Sequence, residues 1–237
     1  MEEDKFSKRN WELCKTTEQR QKYIEEMARM IAVAYGIEME TSLEHGVHII
    51  DGGNSVTFMV NGQSVTESVG AGEGVNSPDG YIVININEQS FVSIVGVLCH
   101  EMRHELQRNM VDETNLKESK YVLNESEYAD ISKEVNQWRQ NVNGSYISME
   151  DSIIDVQKEE IWDKMSWIQK ITKGEDWAEW AARVEVYEMY SGEPVEVDAR
   201  YMEEYAESIM FMRQIMDTMH ISSARRGQGT GGVMGSR

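Results

Sequence analysis

The stretch 91–110, FVSIVGVLCHEMRHELQRNM, constrains this chain more than any other. It contains His100-Glu101-Met102-Arg103-His104, an H-E-x-x-H pattern. On an α-helix, residues four apart lie on one face, one turn above the other. His100 and His104 therefore direct two imidazoles toward one point, with Glu101 beside them to hold a water. Two nitrogens from one helix are half of a tetrahedral zinc site. The flanks predict that helix, because Val92, Val95, Leu98, Cys99, Met102 and Leu106 form an apolar stripe at three- and four-residue spacing. The polar run Asn87-Glu88-Gln89-Ser90 just before it suits a helix start. The plainer alternative is a helix whose histidines simply sit near its surface. With five histidines in 237 residues, chance placement of two of them around a glutamate explains the pattern poorly.

Charge narrows the partners. The chain carries 42 acidic against 23 basic residues, a net charge of -19, which repels nucleic-acid phosphate and anionic membranes over most of the surface. Hydrophobic residues make up 40% of the chain, enough for a packed core. No apolar run reaches the length needed to span a bilayer, and the N-terminus MEEDKFSKRN has no apolar signal core. Two cysteines, Cys14 and Cys99, make neither a disulfide framework nor a paired metal motif, so a reducing, cytoplasmic setting is expected. Cys99 adjoins His100 but faces another side of the helix and reads as core.

The rest of the chain predicts an α+β fold. Residues 17–35 read as a helix with a broad apolar face of Tyr23, Ile24, Met27, Met30, Ile31 and Val33, stopped by Gly36. Residues 48–50, 56–60 and 81–86 are β-rich, and Asn61-Gly62 signals a hairpin. Residues 70–74 read as a mobile loop. The strand at 81–86, directly before the H-E-x-x-H helix, is placed to accept an extended peptide as an added strand. His45 and His48 would face opposite sides of a strand and make a poor ligand pair.

Downstream the pattern is helical: residues 125–141, then 148–173 opened by a capping arrangement of Ser148 with Asp151 and closed by Gly174, then 177–190, before which Asp176 with Glu179 repeats the device. Trp138, Trp162, Trp167, Trp177 and Trp180 fall here, five of the six tryptophans, and read as core or partner interface. The 16 methionines suggest adaptable packing or a contact surface. Gly192 breaks one helix and Pro194 begins the next, which is expected to run to about His220. Residues 221–237 are Gly-rich and read as a flexible tail after one domain over 1–220.

A catalytic zinc site needs a third ligand. Gln107 and Met110 stand where a metzincin would carry glycine and histidine, which excludes that route. A glutamate on a later helix is the alternative, and Glu196 is the best placed, with Asp198 to orient a ligand histidine and Ala199 to let two helices approach. Taken alone, Glu196 is an acidic residue at a helix start, where the dipole favours it anyway.

Together, His100-Glu101-x-x-His104 and Pro194-x-Glu196-x-Asp198-Ala199 resemble the short gluzincin-type zinc metallopeptidases of bacteria and phages, the ImmA/IrrE-like kind. The resemblance covers roughly residues 20–110 and 176–220. It implies a zincin-like fold: a small antiparallel or mixed sheet, an active-site helix under it, and a C-terminal helix bringing the glutamate. Residues 111–175 then stand as a large helical insertion. It implies Zn2+ held by His100, His104 and Glu196, with Glu101 as general base hydrolysing a protein or peptide substrate. Arg200 departs from the pattern, since many gluzincins carry an acidic residue there. Tyr187, Tyr190, Tyr201 and Tyr205 are candidates for a further oxyanion donor. The competing reading is a phage-encoded virion or assembly protein that keeps the metal site without peptidase activity. Its partner would meet the Trp- and Met-rich insertion and the tail, and its location would be the virion.

Overall fold

The computed structural model of the protein describes residues 5–112, 118, 120, 124–141 and 151–227. The chain is α+β, with small sheets in its N-terminal half and helices before and after them. It divides into two compact units, one formed by the residues up to Glu105 with those from Tyr201 onward, the other by Leu106–Arg200.

In the first unit, helix α1 (Lys8–Leu13) is capped by Ser7, whose hydroxyl accepts from the Asn10 N–H. Helix α2 (Thr17–Tyr35) opens with a capping box between Thr16 and Gln19 and closes at Gly36, in the left-handed region at φ 70°. Its buried face is narrower than expected: Tyr23, Ile24, Met27, Ala28 and Ala32 are inside, while Met30 and Val33 are exposed. A short helix, α3 (Met39–Ser42), precedes strand β1 (Gly46–Ile50). Strands β2 (Val56–Val60) and β3 (Gln63–Glu67) form the expected hairpin. Asn61 and Gly62 turn it with φ of 51° and 79°, the paired positive values that Asn-Gly adopts at low cost.

Residues 70–74 differ from expectation. Gly72 N–H donates to the Asn85 carbonyl and Asn85 N–H to the Glu73 carbonyl, so the segment is a hydrogen-bonded turn leading into strand β4 (Gly74–Ser77). Four residues, one glycine, one valine and two polar, carry too little β-signal to be read in advance. Strand β5 (Tyr81–Asn85) lies in the middle of the three-stranded sheet, parallel to β1 and antiparallel to β4. Both edges of β5 are thus occupied, and it cannot take an added peptide strand; β4 stands at the end of the sheet order instead. All five residues of β5 are buried. Ile82, Val83 and Ile84 are at most 1% exposed, each contributing about 1.5–3 kcal/mol by leaving water. Ile82→Ala would cost about 2–5 kcal/mol.

From β5 the chain turns through Asn85 and Asn87. The Asn85 side chain donates to the Val69 carbonyl and accepts from the Asn87 N–H, while Asn87 donates to the Gly53 carbonyl and accepts from the Gly52 N–H. Ser90 then caps helix α4 (Phe91–Asp112) through a bond from the Ser93 N–H. Phe91, Ile94, Val95, Leu98 and Met102 are buried along it, close to the expected stripe.

In the second unit, helix α5 (Glu125–Gln140) buries Val135 and Trp138. Helix α6 (Asp151–Lys164) and helix α7 (Trp167–Ser191) pack through Ile154, Ala182 and Val186, backed by Ile153 and Ile161. The expected helix over 148–173 is broken at Met165-Ser166. There Ser166 and Gln169 form a capping box, an S-x-x-Q signal present in the sequence. Gly174 forms a kink within α7, at φ 74° and ψ 176°. The cap expected at Ser148 lies outside the described residues. Of the tryptophans, Trp138 is core and Trp180 is 60% exposed.

Helix α8 (Pro194–Gly227) begins at the predicted proline and continues seven residues beyond His220. Its first residues belong to the second unit and those from Tyr201 to the first. Residues 228–237 of the expected tail lie outside the described residues. No helix among the described residues is long and apolar enough to cross a membrane.

Candidate metal centre

Helix α4 places His100 and His104 one turn apart, their rings 4.7 Å apart at 77° and their Nε2 atoms 3.0 Å from each other. Two nitrogens bound to one tetrahedral zinc at about 2.0–2.1 Å would stand about 3.4 Å apart, close to this separation. His100, His104 and Glu196 each offer one donor atom, and these atoms lie within 4.8 Å of one another. The three residues named from the sequence are therefore brought together, and the group could hold a metal ion. Glu196 is fully buried. A carboxylate taken out of water costs several kcal/mol unless its charge is balanced. A divalent cation among two imidazoles and this carboxylate supplies that balance, so the donor set fits the ion the motif implies.

Three side chains that the sequence reading did not assign contact either a donor histidine or the residues flanking Glu196. The first is Glu203, whose Oε2 is 3.1 Å from His100 Nδ1. A carboxylate on the far nitrogen of a ligand histidine fixes the ring and leaves the other nitrogen for the metal. Asp198, expected in such a role, accepts at 2.6 Å from the Gln107 amide. Glu203 follows Glu196 by seven residues, two helical turns, so the i, i+7 spacing was the signal available. Arg200, the departure from the acidic pattern, lies over the rings of Tyr187 and Tyr190 at 5.3 and 5.7 Å.

The second is Gln107. Its amide, 3% exposed, donates to the Val195 carbonyl at 2.9 Å as well as to Asp198. The third is Asn141, at the end of α5. Its amide donates to a Glu193 carboxylate oxygen and its carbonyl oxygen accepts from the Val195 N–H at 3.4 Å. Ala199 is fully buried.

Glu101 is 5% exposed and lies against strand β4. A Cβ added at Gly74 would come within 2.6 Å of Glu101 Oε1, so any larger residue there would displace this carboxylate. Asn76, also on β4, donates to the Glu101 carbonyl at 2.8 Å. Glu101 is not part of the donor group, as expected for a residue about 100° round the helix from His100.

The other named residues fall elsewhere. Tyr201 and Tyr205 stack on each other at 6.4 Å and are exposed. They stand about 140° and 180° round α8 from Glu196, and so point away from the donors. Burial, then Glu203, pushes the Cys99 thiol up to about 11, consistent with a core cysteine. His48 stacks on Phe58 at 3.8 Å and bonds through Nε2 to the His45 carbonyl; burial holds its pKa below the usual value. Among the described residues neither His45 nor His48 joins a metal-binding group.

Comparison of the chain with family models, with characterised proteins and with solved structures finds no match.

Proposed function

We propose that this chain is a zinc-dependent metallopeptidase with a zincin-like fold, resembling the ImmA/IrrE-like gluzincins, and that Glu101 is its general base. The observation that carries the reading is the donor group His100, His104 and Glu196, its two histidines on a helix whose Glu101 is buried beside a strand at the end of the sheet. Zinc held by those three residues would supply Lewis-acid polarisation of a carbonyl and make water more acidic. Glu101 takes a proton from the attacking water and returns it to the departing amide nitrogen. Glu203 holds the His100 ring by its Nδ1 side. Gly74 leaves room for the Glu101 carboxylate to work next to β4. The outer edge of β4, rather than β5, is the place for an extended peptide to pair.

The test is metal analysis and hydrolysis measured together on wild type, Glu101→Gln and His104→Ala. Substrates would be sought by comparing intact masses of co-expressed proteins. Wild type and Glu101→Gln should each hold about one zinc, with cleavage at least roughly a hundredfold slower in Glu101→Gln. His104→Ala should lose both. Wild type without stoichiometric metal, or cleavage unchanged in Glu101→Gln, overturns the reading. A second reading, an assembly protein that keeps the metal without hydrolysis, is favoured by exposed Tyr201, Tyr205, Ile209 and Met212 on α8. It would give bound zinc and no Glu101-dependent product.

A further inference from the structure

The first N–H groups of a helix have no partner within it, and a side chain of the preceding residue commonly supplies one. At the start of α8 the arrangement is different. Pro194 has no N–H, so the first one to satisfy belongs to Val195. Glu193 acts as N-cap through its backbone, its carbonyl accepting from the Val197 N–H at 2.9 Å. Its side chain does not cap the helix but accepts a bond from Asn141. The Val195 N–H goes to that same residue, at 3.4 Å. One buried amide, 2% exposed and more than fifty residues upstream, therefore holds both the cap residue and the first free N–H. The Val195 carbonyl is held from Gln107. Both backbone polar groups of the residue immediately before Glu196 are thus fixed by side chains.

We propose that Asn141 is a positioning residue for the third metal ligand, so that the affinity of the centre for its metal depends on helix α5. The proposal rests on the metal reading of His100, His104 and Glu196. Metal–ligand distances tolerate only about 0.2 Å, and Glu196 is in the first turn that Asn141 holds. A helix start that slips by a fraction of a turn leaves Glu196 out of register with the two imidazoles. The segment that reads from sequence as a helical insertion contains the residue that sets this register.

The test uses the full chain and four variants: Asn141→Asp, Glu193→Gln, both together, and Asn141→Ser. Asn141→Asp removes the donor and sets two carboxylates against each other. Adding Glu193→Gln restores the pair with donor and acceptor exchanged and the total charge unchanged, while the Val195 N–H keeps its acceptor. Zinc affinity is read by chelator competition, ligand geometry by the visible spectrum of the cobalt-loaded protein, and fold by melting of the metal-free protein. Asn141→Asp should weaken zinc binding roughly ten- to hundredfold and alter the cobalt bands, as loss of support behind a ligand does. The double variant should recover affinity to within about threefold and restore the bands. Asn141→Ser should weaken binding in the same direction and carries the test if Asn141→Asp is insoluble. Lower metal-free melting with wild-type zinc affinity and cobalt spectrum would make Asn141 a helix cap only and overturn the proposal. Failure of the double variant to recover affinity would overturn it too. If wild type binds neither zinc nor cobalt, the metal reading itself falls, and the proposal with it.

Discussion

His100 Nδ1 stands 3.1 Å from Glu203 Oε2, and Glu203 lies two turns beyond Glu196 on the same helix. One face of α8 thus carries both the carboxylate of the candidate donor group and a carboxylate that contacts one of its histidines. With Nδ1 engaged, Nε2 is the nitrogen left for metal, and it is the one that faces His104 Nε2 at 3.0 Å. Motifs that place the orienting acid four residues after the ligand find Arg200 here; this chain uses the next position on that face.

Removing the Glu203 charge should weaken the metal without unfolding the protein, because this side chain is partly exposed. Glu203→Gln keeps an oxygen for His100 and should cost about tenfold in zinc affinity; Glu203→Ala should cost up to about a hundredfold. Chelator competition reads both. Equal affinity in wild type and Glu203→Ala would show that the contact does not support the site.

Gly96 sits on α4 where Glu203 and Glu207 approach. A Cβ there would lie 2.7 Å from Glu207 Cγ and 3.2 Å from Glu203 Cγ. Alanine is the better helix former by about 0.5–1 kcal/mol, so local propensity and the site pull in opposite directions. Gly96→Ala should lower zinc affinity by displacing Glu203, with little change in metal-free melting. Titration of zinc against melting temperature for both proteins checks this, and unchanged affinity would count against the close approach.

Tyr23 gives the pH dependence. Its hydroxyl accepts from the Ser7 N–H at 2.8 Å and donates to the Ser7 carbonyl at 3.1 Å, and its ring meets Phe91 at the start of α4. Burial above all pushes the phenol up to about 12, against about 10 in an unfolded chain. The folded state therefore keeps a proton that the unfolded state releases between those values. The contribution is fully present below pH 10 and is lost as pH rises from about 10 to 12. Urea midpoints of wild type should fall more between pH 9 and pH 11 than those of Tyr23→Phe. Parallel declines would mean that Tyr23 titrates normally.

The donors were legible because periodicity and punctuation carry them. H-E-x-x-H needs only a helix to become a pair of ligands, and Pro194 after Gly192 announces the helix that brings Glu196. The hairpin at Asn61-Gly62 and the stop at Gly36 were legible for the same reason: each residue type has one inexpensive backbone use. What escaped is what depends on distant partners. Asn141 has no local pattern linking it to residues 193 and 195, since the contact is made only once α5 and α8 are packed. Strand β4 escaped because a four-residue strand at the end of a sheet is defined by the neighbour it pairs with, and its own composition says little. Glu203 was within reach, as face arithmetic on α8 puts it nearer to Glu196 than Asp198.

Position 74 separates chemistry from metal binding. Gly74 leaves the space that the Glu101 carboxylate fills: an added Cβ would lie 2.6 Å from Oε1, 2.7 Å from Cγ and 2.9 Å from Cδ. The atoms it meets belong to a side chain that can change rotamer, and the backbone at Gly74 is not in the left-handed region, so Gly74→Ala should fold. The strain is relieved by moving Glu101, which is not one of the metal donors. Zinc content and affinity should then remain as in wild type, while hydrolysis falls roughly tenfold or more, because a general base acts only within about 2.6–3.2 Å of the proton it takes. A larger residue, Gly74→Val, should deepen the loss of turnover and still retain zinc. If Gly74→Ala loses metal along with activity, β4 supports the donors as well as the base. If it leaves turnover unchanged, Glu101 does not need the position it occupies beside Gly74, and its role as the base is wrong.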